Sequence, residues 1–138
     1  MANTMELEIN GSVHIFKAGF AFIRKVEPLH KQKQNGVESN VGLNFLVAGL
    51  VDRDADALLD ALNYMNEGDH NRLTRTALEE YIEEHEDIDG LFDQVLDFLQ
   101  TANCTKSKVT NFMQKVEEIR KKQETEALEH GGSSTSNV

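Results

Sequence analysis

Two short stretches of the sequence crowd ionisable side chains together. Asp52-Arg53-Asp54-Ala55-Asp56 has the alternating carboxylates of a calcium-binding loop. Such a loop needs glycine at its sixth position for the sharp turn and glutamate at its twelfth as a bidentate ligand. Those positions hold Ala57 and Asn63. The run therefore reads as acids at a helix start, where they face the positive end of the helix dipole. Glu83-Glu84-His85-Glu86-Asp87 sets a histidine among carboxylates, but four residues to either side of His85 stand Tyr81 and Asp89. No paired-histidine zinc motif forms, and the stretch reads as a solvated helix end. His14, His30, His70 and His130 stand alone, and Cys104 has neither a second cysteine nor a visible base. No nucleophile elbow, phosphate loop or dinucleotide fingerprint is present. Residue chemistry thus points to no enzyme, no metal and no cofactor, and leaves apolar helix faces as the candidates for function.

The elements that carry those faces follow from periodicity. Met5, Leu7 and Ile9 alternate with Glu6 and Glu8, Asn10-Gly11 follows, and Val13 and Ile15 flank His14. This spacing predicts a β-hairpin over about 5–17 with a type I′ turn, which needs two positive φ angles. Met5, Leu7, Ile9, Val13 and Ile15 are expected to share its apolar face. Ala18 to Val26 suits a short helix that Pro28 ends. The polar run 30–40, with Asn35-Gly36 inside it, reads as a loop or a second turn. Beyond it the chain has helical periodicity: Leu43, Leu46, Val47 and Leu50; Leu58, Leu62 and Met65 after a cap at Asp52 or Asp54; Leu78, Tyr81 and Ile82 after Thr74; Leu91, Phe92, Val95, Leu96 and Leu99 after Asp87 or Asp89; and a last helix from Thr105 or Ser107.

The expected class is α+β: an N-terminal β-hairpin packed on a mostly α-helical domain of four to five helices. Residues 1–103 form the hairpin and helical core, 104–128 a C-terminal helix, and 129–138 a flexible tail. The stripe at 91–99 belongs to the core. The stripe Val109, Phe112, Met113 and Val116 lies at the domain's edge, and methionine suits adaptable contacts. These four residues are the candidate partner-binding surface.

Composition narrows the partners. The chain has 138 residues and a net charge of −10, unevenly spread: residues 52–101 carry −12 and the remainder +2. An acidic chain repels a phosphate backbone, so no nucleic-acid partner is expected. The opposed charges suggest weak homo-oligomers. A single cysteine suits a reducing compartment. No apolar run approaches the roughly 20 residues that span a membrane, and no signal peptide opens the chain. A cytoplasmic protein without a membrane partner is expected.

The chain resembles the tail assembly chaperones of siphophages, long-tailed bacteriophages of Gram-positive bacteria. The resemblance rests on Leu7-Glu8-Ile9-Asn10-Gly11, Val13-His14-Ile15-Phe16 and Lys17-Ala18-Gly19-Phe20-Ala21-Phe22. It continues through Asn35-Gly36-Val37, Gly42-Leu43, Tyr81-Ile82-Glu83 and Asp87-Ile88-Asp89-Gly90-Leu91-Phe92-Asp93. The helices Val95 to Leu99 and Lys106 to Met113 complete it. It covers about residues 5–115. The family commonly has Lys-Phe-Gly where this chain has Lys17-Ala18-Gly19, so one aromatic is absent. The resemblance implies a protein of the host cell cytoplasm, absent from the mature virion. It would bind the tape measure protein, keep it soluble, and promote assembly of the tail tube protein around it. The resemblance also implies a longer frameshifted form of the same chain as a partner. From residue chemistry the competing reading is an acidic decoy that mimics DNA and blocks a DNA-binding protein. A decoy needs its carboxylates in rows on one exposed face; a chaperone needs an apolar surface beside them.

Overall fold

The computed structural model describes residues 3–136. Two strands, β1 (Thr4–Ile9) and β2 (Ser12–Lys17), form an antiparallel hairpin. Asn10 and Gly11 turn it with φ of 55° and 80°, the pair of positive angles a type I′ turn requires. The short helix α1 (Phe20–Val26) leads into a 3-10 turn, Glu27–Leu29, which carries Pro28. The polar segment expected as a loop or turn is a second hairpin, β3 (Lys31–Gln34) and β4 (Val37–Asn40). Its turn at Asn35-Gly36 repeats the positive φ pair, 54° and 79°. All eight strand residues are exposed, so no apolar alternation marks them. Five helices follow: α2 (Gly42–Val51), α3 (Ala55–Met65), α4 (Arg75–Glu84), α5 (Ile88–Thr101) and α6 (Lys106–Ser136). The architecture is α+β, an N-terminal hairpin on a mostly helical body.

The first hairpin corrects one expectation. A two-residue turn pairs Ile9 with Ser12, Leu7 with His14 and Met5 with Phe16. Directly paired residues point to the same face of the sheet. The buried face is therefore Met5, Leu7, Ile9, His14 and Phe16, while Val13 and Ile15 lie outside, 60% and 42% exposed. The register set by the turn overrides hydrophobicity: Val13 and Ile15 have the wrong parity to join the inner face.

Helices α3, α4 and α5 start where capping chemistry places them. Asp54, Thr74 and Asp87 accept hydrogen bonds from the N–H groups of Asp56, Ala77 and Gly90, satisfying donors that the first helical turn leaves free. The inward stripes are Leu43, Leu46, Val47 and Leu50 of α2; Leu58, Leu62 and Met65 of α3; Leu78 of α4; and Leu91, Phe92, Val95, Leu96 and Leu99 of α5. All are buried, whereas Tyr81 and Ile82 are only half-buried at the core's margin. Helix α2 is the hub and packs on α1, α3, α5 and α6. Between α2 and α3, Arg53 adopts a φ of 59° and reaches α5, pairing with Asp93 at 2.6 Å and Asp89 at 3.4 Å. Its guanidinium lies 5.4 Å from the centre of the Phe92 ring.

Helix α6 spans 31 residues, about 45 Å at 1.5 Å per residue. Its first turns pack on α2 and α5; from Glu117 to Leu128 every side chain is exposed. The segment 129–138, expected as a flexible tail, has a helical backbone as far as Ser136. This stands against the cost of about 1 kcal/mol that Gly131 and Gly132 each carry in a helix relative to alanine. The rest of that segment, 137–138, lies outside the described residues.

Candidate functional site

The run GLNFLVAGLV makes α2 apolar nearly all round, a pattern that asks for cover on more than one side. Leu43, Leu46, Val47 and Leu50 enter the core. Val41, just before the helix, with Asn44, Phe45 and Ala48, repeats at helical spacing on another side, and this face is left partly open. It forms one wall of a groove of about 250 Å³; Phe112 of α6 forms the other, and Gln32 of the second hairpin closes an end. Phe45 is 56% exposed. Its ring stacks on His30, with centroids 4.2 Å apart and planes 9° from parallel. On the far side of Phe45 lies a second hollow of about 220 Å³, whose lining includes Leu29, His30, Tyr64 and Asp60. Leu29 there is 53% exposed. Phe45 is thus an aromatic ridge between two hollows, on the rigid element at the centre of the fold.

The four residues read from the sequence as a partner surface divide. Val109 is fully buried in the domain's own core, so it is not available to a partner. Phe112, Met113 and Val116 are half-buried, and Phe112 and Met113 also pack on the core cluster. Only Phe112 lines the groove. The stripe Leu43, Leu46, Val47 and Leu50 passes over Phe45, Val41 and Ala48, and the near-continuous hydrophobicity of α2 is the signal in the sequence that points to them. The Asn44 Oδ1 atom is buried without a hydrogen-bond partner among the described residues, an acceptor beside apolar walls.

Two polar tethers brace the fold, and the first holds the groove's walls in register. Glu27 accepts a 2.8 Å hydrogen bond from the N–H of Leu43 at the start of α2, and its other oxygen pairs with Lys108 of α6. One carboxylate thus links the 3-10 turn, α2 and α6. Across the molecule, His14 is 3% exposed and its Nδ1 lies 2.8 Å from Asp69. An ionised carboxylate only accepts, so Nδ1 carries the proton. Fully buried Asn66 donates to Asp69 and to the carbonyl of Ile15, and accepts from the N–H of Leu73 at 2.7 Å. Burial pushes the Asp69 carboxyl up, but hydrogen bonds from His14, Asn66 and the backbone of Asn71 outweigh it and leave the group below its ordinary 3.8. The histidine that looked isolated in sequence is the centre of a clasp between the first hairpin and the α3–α4 connection. Desolvation raises the Tyr81 hydroxyl above its ordinary value.

Two arginines sit among carboxylates within the acidic centre. Arg53 sits between Asp89 and Asp93, Arg75 between Asp60 and Glu79, and apolar hollows open beside them. Among the described residues, no three His, Cys, Asp or Glu side chains converge on a point that could hold a metal. In that same range no helix is long and apolar enough to cross a membrane.

Comparison with curated proteins and with solved structures finds no match. A family model described as "Phage tail assembly chaperone protein, TAC" matches residues 6–114. That span takes in the first hairpin from its third residue, the second hairpin, helices α1 to α5 and the packed start of α6, including both walls of the groove. The chain belongs to the phage tail assembly chaperone family.

Proposed function

We propose that this chaperone binds a helical, apolar segment of the tape measure protein along the groove between α2 and α6. Phe45 and Phe112, which line the groove, are the principal contacts, and half-buried Met113 and Val116 extend the contact along α6 beyond it. The observation that carries the reading is Phe45, a large ring left more than half exposed beside Phe112. A tape measure protein presents long apolar helical faces, and such faces aggregate unless covered. An amphipathic helix laid in an apolar groove is a recurring mode of recognition. Burial of one phenylalanine contributes about 1.5–3 kcal/mol before the costs of association, and many copies along one long ligand multiply modest affinities. The net charge of −10 keeps coated complexes apart. In this role the protein acts in the host cell cytoplasm, hands the covered tape measure to the tail tube protein, and is absent from the mature virion. A longer frameshifted form of the chain would bridge the two.

The test is co-expression with a tape measure protein. Phe45→Asp changes an exposed side chain and is expected to leave the circular dichroism spectrum unchanged, while most of the tape measure moves to the pellet. A folded Phe45→Asp variant that keeps the tape measure soluble as well as wild type would show that the groove is not the site.

A further inference from the structure

Helix α6 and the cleft between α3 and α4 are complementary, and nothing within one copy joins them. The cleft, of about 330 Å³, has Ala55, Leu59 and Ile82 as its apolar lining and Asp56, Glu79 and Glu83 as its charged rim. Leu59 is buried and Ile82 half-buried, while the three acids are exposed. Glu79 shares Arg75 with Asp60; Glu83 has no cationic partner among the described residues. Residues 54–86, which build the cleft, hold ten acids and two bases.

On α6 the balance is reversed. Residues 106–122 hold six bases and two acids. Ile119 is 57% exposed, and residues three and four apart lie on one helix face. Lys115 and Lys122 therefore flank Ile119, an apolar knob between two ammonium groups. Past Val116 no side chain through Leu128 is buried. A polar helix without packing is marginal in water, since most helical stability in proteins comes from a covered face.

We propose that the α3–α4 cleft of one copy receives the Lys115–Lys122 segment of α6 from a second copy. Ile119 enters between Leu59 and Ile82, Lys115 and Lys122 meet the rim of Asp56, Glu79 and Glu83, and the helix gains the cover it lacks. The cleft and the helix are different surfaces, so each copy gives its helix to one neighbour and its cleft to another. The contact is heterologous and can extend beyond a dimer. It uses neither Phe45 nor Phe112, so it stands apart from the tape measure groove.

Sedimentation of the purified chain alone tests this. Wild type is expected to associate at low salt and to loosen as salt shortens the Debye length from about 30 Å at 0.01 M to about 8 Å at 0.15 M. Ile119→Asp, a change at an exposed position, is expected to leave a monomer with unchanged circular dichroism. Glu83→Lys and Lys122→Glu are each expected to weaken association about tenfold, the change that corresponds to losing about 1.4 kcal/mol. Mixing these two single variants pairs the wild-type helix of one with the wild-type cleft of the other, and the two reversed surfaces with each other, so assembly should return with the copies alternating; combining them in one chain restores both surfaces and the wild-type assembly. Wild type that stays monomeric at low salt, association that survives Ile119→Asp, or charge reversals that fail to compensate would each overturn the proposal.

Discussion

Asn66→Ala is expected to destabilise the protein by about 4 kcal/mol, the largest effect of any single side-chain truncation outside the apolar core. Asn66 is fully buried, and its amide serves three groups at once: the Ile15 carbonyl, the Asp69 carboxylate and the Leu73 N–H. Leaving a buried polar group without its partner costs about 1–3 kcal/mol, and this substitution orphans more than one. Urea unfolding at neutral pH measures the loss; a value below about 1 kcal/mol would mean that water replaces the amide freely. The same clasp predicts an acid response. The folded-state carboxyl of Asp69 lies below its ordinary value, so its contribution is fully present above the unfolded value of about 3.9. That contribution is lost as pH falls through the lowered folded value. Asp69→Ala should therefore be less stable than wild type at neutral pH, with the gap narrowing below about pH 4. A gap constant from pH 7 to pH 3 would exclude the ionised pair as its source.

Gly42→Ala is expected to cost about 3 kcal/mol, toward the upper end of what overpacking usually does. At this size of chain that corresponds to a fall in Tm of roughly 10 °C. A Cβ at position 42 would sit 1.8 Å from the Val26 carbonyl oxygen and 2.8 Å from that of Glu27. Both neighbours are backbone, so relief requires moving the start of α2 away from the 3-10 turn. That movement pulls the Leu43 N–H from Glu27 and loosens the link to Lys108 on α6. Stability and tape measure binding should fall together in this variant, in contrast to Phe45→Asp, which spares stability. Differential scanning calorimetry beside the co-expression assay separates the two. A Gly42→Ala variant as stable as wild type would show that the close approach of α2 relaxes at no cost.

The sequence by itself determined what depends on neighbours along the chain. Asn10-Gly11 specifies a two-residue turn because a type I′ turn needs two residues that tolerate positive φ. Asp54, Thr74 and Asp87 mark helix starts because short polar side chains reach the free N–H groups two or three residues on. Leu91, Phe92, Val95, Leu96 and Leu99 mark a buried stripe because 3.6-residue periodicity puts them on one side. Even the inward position of His14 was implicit in the turn, since a two-residue connection fixes cross-strand parity and excludes Val13 and Ile15. Hydrophobicity alone pointed the other way. The second hairpin was legible only as a turn, because its strands bury nothing and so carry no pattern. Tertiary structure alone decided the rest. Asp69 meets His14 at a sequence separation of 55, and Lys108 meets Glu27 at a separation of 81; no periodicity encodes such pairs. Which face of α2 stays open, and so whether Phe45 is core or surface, depends on how far α6 and the second hairpin reach around it. Val109 and Phe112 look alike in sequence, three residues apart on one stripe. One is core and the other lines a groove because the body of the domain ends between them, a boundary that exists only once the helices have packed.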